Sequence, residues 1–276
     1  MATLESTSIG FPPPLLGEEP TKLSAQLSKN QWIAVEKPAG IEIRPDSKVT
    51  NRAIHNLENA LQAQAKRSLP SLTSHGFSPD YNPKSIYQID RDIYGFGLWA
   101  LNDDSLEELR NEFGSNKFNF HFEFFAQDEP NSGEEFSVYL PIAQHLQDPD
   151  RCVISTQTGK KAETEFSKIK VWPKANVALW QAATPMPRGH QIRLHAFECG
   201  INILGETIYT QTPEIALTDL KKKRVSKRES ASKPIWSGLN MCLSSLSGDI
   251  FPEGKITFAH PRAMDTLIRK LDQFAT

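Results

Sequence analysis

The chain has 276 residues, enough to bury a substantial core as one large domain or two small ones. Hydrophobic residues make up 38% and charged residues 23%, ordinary for a soluble globular protein. Lys and Arg total 31 against 33 Asp and Glu, so the net charge of −2 lacks the basic surplus usual in nucleic-acid binders and leaves room only for a local basic face.

The three cysteines, Cys152, Cys199 and Cys242, are far apart, with neither zinc-ligand spacing nor an even-numbered disulfide framework. Their expected state is reduced. Met1–Pro14 lacks the basic and then apolar regions of a secretory leader, and no run of about 18 apolar residues occurs. The chain reads as cytoplasmic, without a membrane partner.

Residues 1–28 carry Phe11-Pro12-Pro13-Pro14 and Gly17-Glu18-Glu19-Pro20 and read as an extended N-terminal arm. Trp32–Ile43 reads as strand, turn and strand about Pro38 and Gly40. Ala53–Ala65, with Ile54, Leu57 and Leu61 at helical spacing, predicts a helix, and Ser68–Pro83 a loop. Ser85–Leu101 ends in a buried strand. Leu106–Phe113 predicts a helix with capping oxygens in Asp103-Asp104-Ser105. Phe118–Phe124 alternates strictly, a strand with one aromatic face. Phe136–Ile142, Glu163–Val171 and Val177–Ala182 are further strands. A helix spans His190–Cys199 with Gly200 as its stop. Thr210–Lys233, with Lys221-Lys222-Lys223-Arg224 and Lys227-Arg228, reads as a polar basic surface loop, and Met264–Phe274 as an amphipathic helix. Irregularly interspersed strands and helices give an α+β class.

Three stretches carry possible chemistry. Asp90 lies in Tyr87-Gln88-Ile89-Asp90-Arg91-Asp92-Ile93-Tyr94-Gly95, among apolar and aromatic neighbours. Taken alone, such an Asp more often caps a turn. Pro187-Arg188-Gly189-His190-Gln191-Ile192-Arg193-Leu194-His195 concentrates two Arg and two His. A metal site is rejected there, because residues five apart share neither a helix face nor a strand face. Arg193 and His190, three apart, do share a helix face. The Phe-rich strand is mostly core. No phosphate-cradling glycine loop and no serine nucleophile elbow occur.

Taken jointly and in order, these stretches resemble the RNA pseudouridine synthases of the RluA/RsuA type, over roughly residues 30 to 270. Lys37-Pro38-Ala39-Gly40 matches the family's Lys-Pro-x-Gly after an apolar strand. Tyr87–Gly95 takes the place of His-Arg-Leu-Asp-x-x-Thr-Ser-Gly, and Phe120-His121-Phe122 that of Lys-x-Tyr. Gly159–Thr164 resembles Gly-Lys-x-Ala-x-Thr. Met186–His195 is similar to Thr-Gly-Arg-Thr-His-Gln-Ile-Arg-Val-His, and Gly205–Thr210 to Gly-Asp-x-x-Tyr-Gly. The His-Gln-Ile-Arg-x-His block followed by Ile-Leu-Gly-x-x-x-Tyr is the most specific part.

The resemblance implies a mixed, mainly antiparallel sheet with flanking helices and a central cleft, with residues 29–276 as the catalytic domain. It implies isomerisation of a flipped-out uridine to pseudouridine in ribosomal or transfer RNA, without cofactor or metal, by a protein expected to be a monomer. By motif position Asp90 is the catalytic carboxylate, Arg193 the cation paired with it, and Phe122 the ring that stacks on the base. Gln88, Arg91, Arg188, His190, Gln191 and Tyr209 fall at substrate-binding positions. The departures cluster in these motifs: Tyr87-Gln88 for His-Arg, Ile93-Tyr94 for Thr-Ser, Phe122 for Tyr, Met186-Pro187 for Thr-Gly and Glu206 for Asp. They give the alternative of a catalytically silent relative that binds RNA. The basic loop is a weaker candidate as a protein-binding surface, since a charge run is usually a solvated face.

Overall fold

The computed structural model describes residues 4–28, 31–45, 56–67, 80, 82–128, 133–220 and 233–275. The chain divides into two compact units: Met1–Asn119 with Ser245–Phe258, and Phe120–Ser244 with Ala259–Thr276.

In the first unit the elements are β1 (Leu4–Phe11), β2 (Thr21–Ser28), β3 (Trp32–Lys37), α1 (Leu57–Lys66), β4 (Lys84–Ser85), β5 (Gly95–Ala100) and α2 (Asp103–Gly114). The strands form an antiparallel sheet in the order β1-β2-β3-β5-β4. β5 is buried along its whole length, as its run of apolar residues requires. Gly97 has no alternative there, since a Cβ would lie 2.3 Å from the Trp99 ring. The stretch read as an extended arm is strand for most of its length, with Ile9, Phe11, Leu23, Ala25 and Leu27 buried. Asn56 caps α1 by accepting from Asn59 N at 2.9 Å, so the helix starts at Leu57. Asn102, not the Asp-Asp-Ser after it, caps α2: its Oδ1 accepts from Ser105 N at 2.8 Å. Asp103 and Asp104 instead sit in the first turn, where the helix dipole favours them. The expected second strand at Ile41–Ile43 reduces to a single bridge from Glu42 to Asn56.

The second unit carries β6 (Asn119–Gln127), β7 (Glu135–Val138), β8 (Ile142–Gln144), β9 (Cys152–Ile154), β10 (Thr164–Trp172), β11 (Val177–Thr184), α3 (Gln191–Glu198) and α4 (Leu217–Leu220). After them come β12 (Met241–Ser247), β13 (Lys255–Thr257) and α5 (Arg262–Phe274). Strands β12, β6, β11, β10 and β7 lie side by side in that order. The strand read over Phe136–Ile142 is two, β7 and β8. Pro141, which cannot donate to a ladder, lies between them. Phe120, Phe122 and Phe124 share one face of β6, and Phe124 meets the Phe166 ring edge-on at 6.2 Å. Phe125 points the other way, to Trp172 and Trp236. α5 buries Met264, Leu267 and Leu271. His260, just before it, bridges Glu123 at 3.2 Å and Asp265 at 3.6 Å.

The end of β12, Ser245–Ser247, belongs to the first unit and pairs there with β13. Phe251 meets Trp32 edge-on at 5.5 Å and stacks on Phe118 at 5.2 Å, while Phe258 stacks on Phe96 at 4.6 Å. This late segment thus completes a core begun by residues near the N-terminus. The basic clusters at 221–224 and 227–228 lie outside the described residues. No helix among the described residues is long and apolar enough to cross a membrane.

Candidate active site

Asp90 opens a tight turn between the buried Ile89 and strand β5, its carbonyl accepting from Ile93 N at 3.1 Å. The turn is held from below by Lys37, fully buried at the end of β3. Its Nζ donates to the carbonyls of Ile93 at 2.6 Å, Arg91 at 2.8 Å and Pro38 at 3.2 Å. Three carbonyls match the three protons of an ammonium group. Burial pulls Lys37 down to about 7, against Asp90, Asp92 and Glu42, which favour the charged form; Arg91 opposes it.

Gly40 N donates to Arg91 O at 2.9 Å, and Arg91 Nε returns a bond to Gly40 O at 2.9 Å. The Lys-Pro-x-Gly turn and the Asp90 turn are therefore laced together. Gln88 Oε1 accepts from Arg44 N at 3.3 Å, a contact that fixes the neighbouring loop. Tyr87 is buried with its hydroxyl on Phe96 O at 2.9 Å, and burial raises its pKa. Tyr94 bonds Glu36.

In the second unit, the turn into α3 is built on His190, whose φ of 57° is left-handed. Gln191 knits this turn from inside. Its Oε1 accepts from Arg188 N at 2.9 Å, and its Nε2 reaches Glu163 O at 2.7 Å, Thr184 Oγ1 at 2.9 Å and Thr164 Oγ1 at 3.0 Å. Buried and so engaged, Gln191 shapes the turn rather than facing solvent. His195 is buried between Thr164 Oγ1 and Leu140 O, both at 2.9 Å. A carbonyl accepts only, so Nε2 carries the proton and Nδ1 accepts from Thr164. Burial lowers its pKa and keeps it neutral.

Arg193 projects from α3 onto Glu206, with Nε to Oε2 at 2.6 Å and Nη2 to Oε1 at 2.8 Å, both side chains 3% exposed. Glu206 Oε1 also accepts from the backbone N of Ile208, Thr207 and Tyr209. Burial alone would raise the Glu206 pKa; the bonds from Arg193, with Ile208 and Tyr209, outweigh it and leave the pKa lowered. Gly205, just before it, has φ 74° and would place a Cβ 1.9 Å from Gly238 O, so only glycine fits. Tyr209 takes a bond from Cys152 N at 3.0 Å and lies 2.9 Å from His190 Nδ1. Arg188 Nε is buried with no hydrogen-bond partner among the described residues.

Of the residues expected at the site, Gln88, Asp90 and Arg91 belong to the first unit. Phe122, Arg188, His190, Gln191, Arg193 and Tyr209 belong to the second. Within the second unit the α3 turn gathers Arg188, His190, Gln191, Arg193 and Tyr209. Phe122 stands apart on β6, 1% exposed and opposite Ala182. The lock made by Lys37 and the clamp made by Glu206 were not among the expected roles. A lone Lys ending the apolar run Trp32–Val35 was the available signal for the first. Among the described residues no group of three His, Cys, Asp or Glu is placed to hold a metal ion.

No family model matches the chain. It is 25% identical over 178 residues to the ribosomal large subunit pseudouridine synthase D of Zymomonas mobilis, covering 64% of this chain and 52% of that one. It is 27% identical over 175 residues to an uncharacterized RNA pseudouridine synthase of Aquifex aeolicus, covering 63% and 52%. The chain spans about half the length of these curated relatives. In fold it is similar to human RNA pseudouridylate synthase domain containing 4, at TM-score 0.63 and 16% identity over 89% of this chain and 92% of that one. The corresponding human domain containing 1 protein gives TM-score 0.54 at 15% identity, over 91% and 94%. In motif order and in sequence the chain is thus similar to RNA pseudouridine synthases of the RluA type, and its antiparallel α+β fold is that of their solved structural neighbours.

Proposed function

We propose that this protein isomerises uridine to pseudouridine in ribosomal or transfer RNA, as a cytoplasmic monomer without cofactor. The reacting base must leave the stack. The C1′–N1 bond breaks, the uracil turns, C5 bonds to C1′, and the proton on C5 passes to solvent as N1 gains one. Asp90 is the proposed catalytic carboxylate, and Arg193 the cation that the motif assigns to it. Phe122 supplies the stacking face. Gln88, Arg91, Arg188 and His190 would contact the RNA, with Gln191 shaping and Tyr209 supporting the turn that carries two of them.

The observation that carries this reading is the α3 turn. A buried guanidinium is clamped on a shared carboxylate, with a second Arg and a His beside it, on the most specific motif of the chain. The neutral Arg193–Glu206 pair holds the turn rigid, and the Arg188 guanidinium that the turn carries suits an anionic substrate better than a solvated helix end would. The test is tritium release from C5-labelled uridine in total RNA of cells lacking this gene. Release by wild type and none by Asp90→Asn is expected. Release by neither, from folded protein, would favour the second reading, an RNA-binding relative without turnover, to which Phe122 (no phenol) and Gln88 (no charge) point.

A further inference from the structure

The hairpin β8–β9 brings a feature to the α3 turn that its motifs do not contain. Tyr209, whose hydroxyl is tied to both backbone groups of Cys152 at 3.0 and 3.2 Å, pins the base of β9 beside α3. Ile142, Cys152, Leu194 and Tyr209 form the small core beneath. Above this pin the Arg151 guanidinium lies over the Tyr209 ring, 5.6 Å from its centroid. The Phe197 ring, from the last turn of α3, lies 6.2 Å from the same ring, tilted by 30°. Phe197 is 41% exposed, and among the described residues no carboxylate pairs with Arg151.

The tip that carries Arg151 is ordered by its own bonds. His145 Nδ1 accepts from Asp148 N at 3.0 Å, Gln144 Nε2 donates to Arg151 O at 2.7 Å, and Asp148 Oδ1 accepts from Asp150 N at 3.0 Å. Asp148 is thereby turned into the tip. Phe197 and Arg151 thus share one buried ring as support, which His190 meets edge-on at 5.8 Å and over which the Arg193 guanidinium also lies, 5.8 Å from the centroid. A bare apolar patch would attract many partners. An exposed ring and a guanidinium held on one common support match a base and its phosphate.

We infer that Phe197 and Arg151 form a second nucleotide subsite, which takes an unpaired base of single-stranded RNA on the Phe197 ring and its phosphate on Arg151. The inference rests on the reading of this chain as an RNA-modifying protein. Tyr209, consumed by its own bonds, is the support beneath this subsite.

The experiment is binding of a fluorescein-labelled oligouridylate to the full chain by anisotropy, across a range of salt, with tritium release measured in parallel. Arg151→Ala is expected to weaken binding about fivefold and to reduce the log–log salt slope by about 0.7, the value for one phosphate on a single strand. Phe197→Ala is expected to weaken binding at least about fivefold, the low end of base–aromatic stacking, with the slope unchanged. Phe197→Trp should bind as wild type, which a loss of folding would not permit. Turnover by wild type, with both alanine variants binding like it, overturns the subsite alone and makes Phe197 a contact for a protein instead. No binding of RNA by wild type overturns the subsite together with the proposed function.

Discussion

Lys37 places three protons where three backbone carbonyls need them, and those carbonyls define the turn that presents Asp90. Lys37→Met keeps the length and removes every donor. An unsatisfied buried carbonyl costs about 1–3 kcal/mol, so a loss of at least ~2 kcal/mol in urea unfolding is expected. Tritium release should fall further than stability does, because the turn loses its register. Glu206 offers a second test. Glu206→Gln leaves the Arg193 charge buried against a neutral amide, which costs ~3–5 kcal/mol when a buried pair is broken this way. The pH dependence carries its own sign. Glu206 has a folded pKa below its ordinary value, so its stabilisation is present above about 4.3 and is lost as pH falls through the folded value. The glutamine variant should lack that part of the acid destabilisation, read as a flatter plot of unfolding free energy below pH 4.

At the scale of elements, β6 and α5 make opposite kinds of contact. Phe122 on β6 is core as well as candidate site, and Phe122→Ala should cost ~3–5 kcal/mol in denaturant unfolding. α5 is held at its start by His260 between Glu123 and Asp265, and these carboxylates, Glu123 first, raise the His260 pKa. Its stabilisation is therefore complete below about 6.5 and is lost as pH rises through the higher folded value. The midpoint of thermal unfolding should fall above pH 6.5 in wild type, and His260→Gln should remove that trend. β6 was legible in the sequence because Phe recurs at every second position and period 2 has no helical reading. β1, β2 and β12 were not. Ser and Ala dilute the alternation in Thr21–Ser28 and Met241–Ser247, so the buried Leu23, Ala25 and Leu27 do not stand out. The Asp90 and Arg193 motifs were legible as a family pattern. The Arg193–Glu206 clamp was not, because twelve intervening residues hide a pairing that only the turn at Gly205 creates.

For the whole molecule, the division into two units and the family fold mean that much of the chain is scaffold, and few substitutions should separate activity from stability. Asp90→Asn is one, since the half-buried Asp90 holds its turn through the backbone carbonyl, which the amide leaves in place. Its urea midpoint should fall only slightly, by the lost attraction to Lys37, while turnover is lost. The discontinuity of the first unit has a further consequence for how the protein is made. Trp32, Phe96 and Phe118 leave the ribosome long before Phe251 and Phe258, the rings that cover them. During synthesis the first unit must wait with an open apolar surface until Phe120–Ser244, the larger part of the second, has been translated. Nascent chains arrested before residue 245 should therefore recruit a chaperone and resist protease poorly over residues 1–119, whereas chains extended past residue 258 and clear of the exit tunnel should do neither.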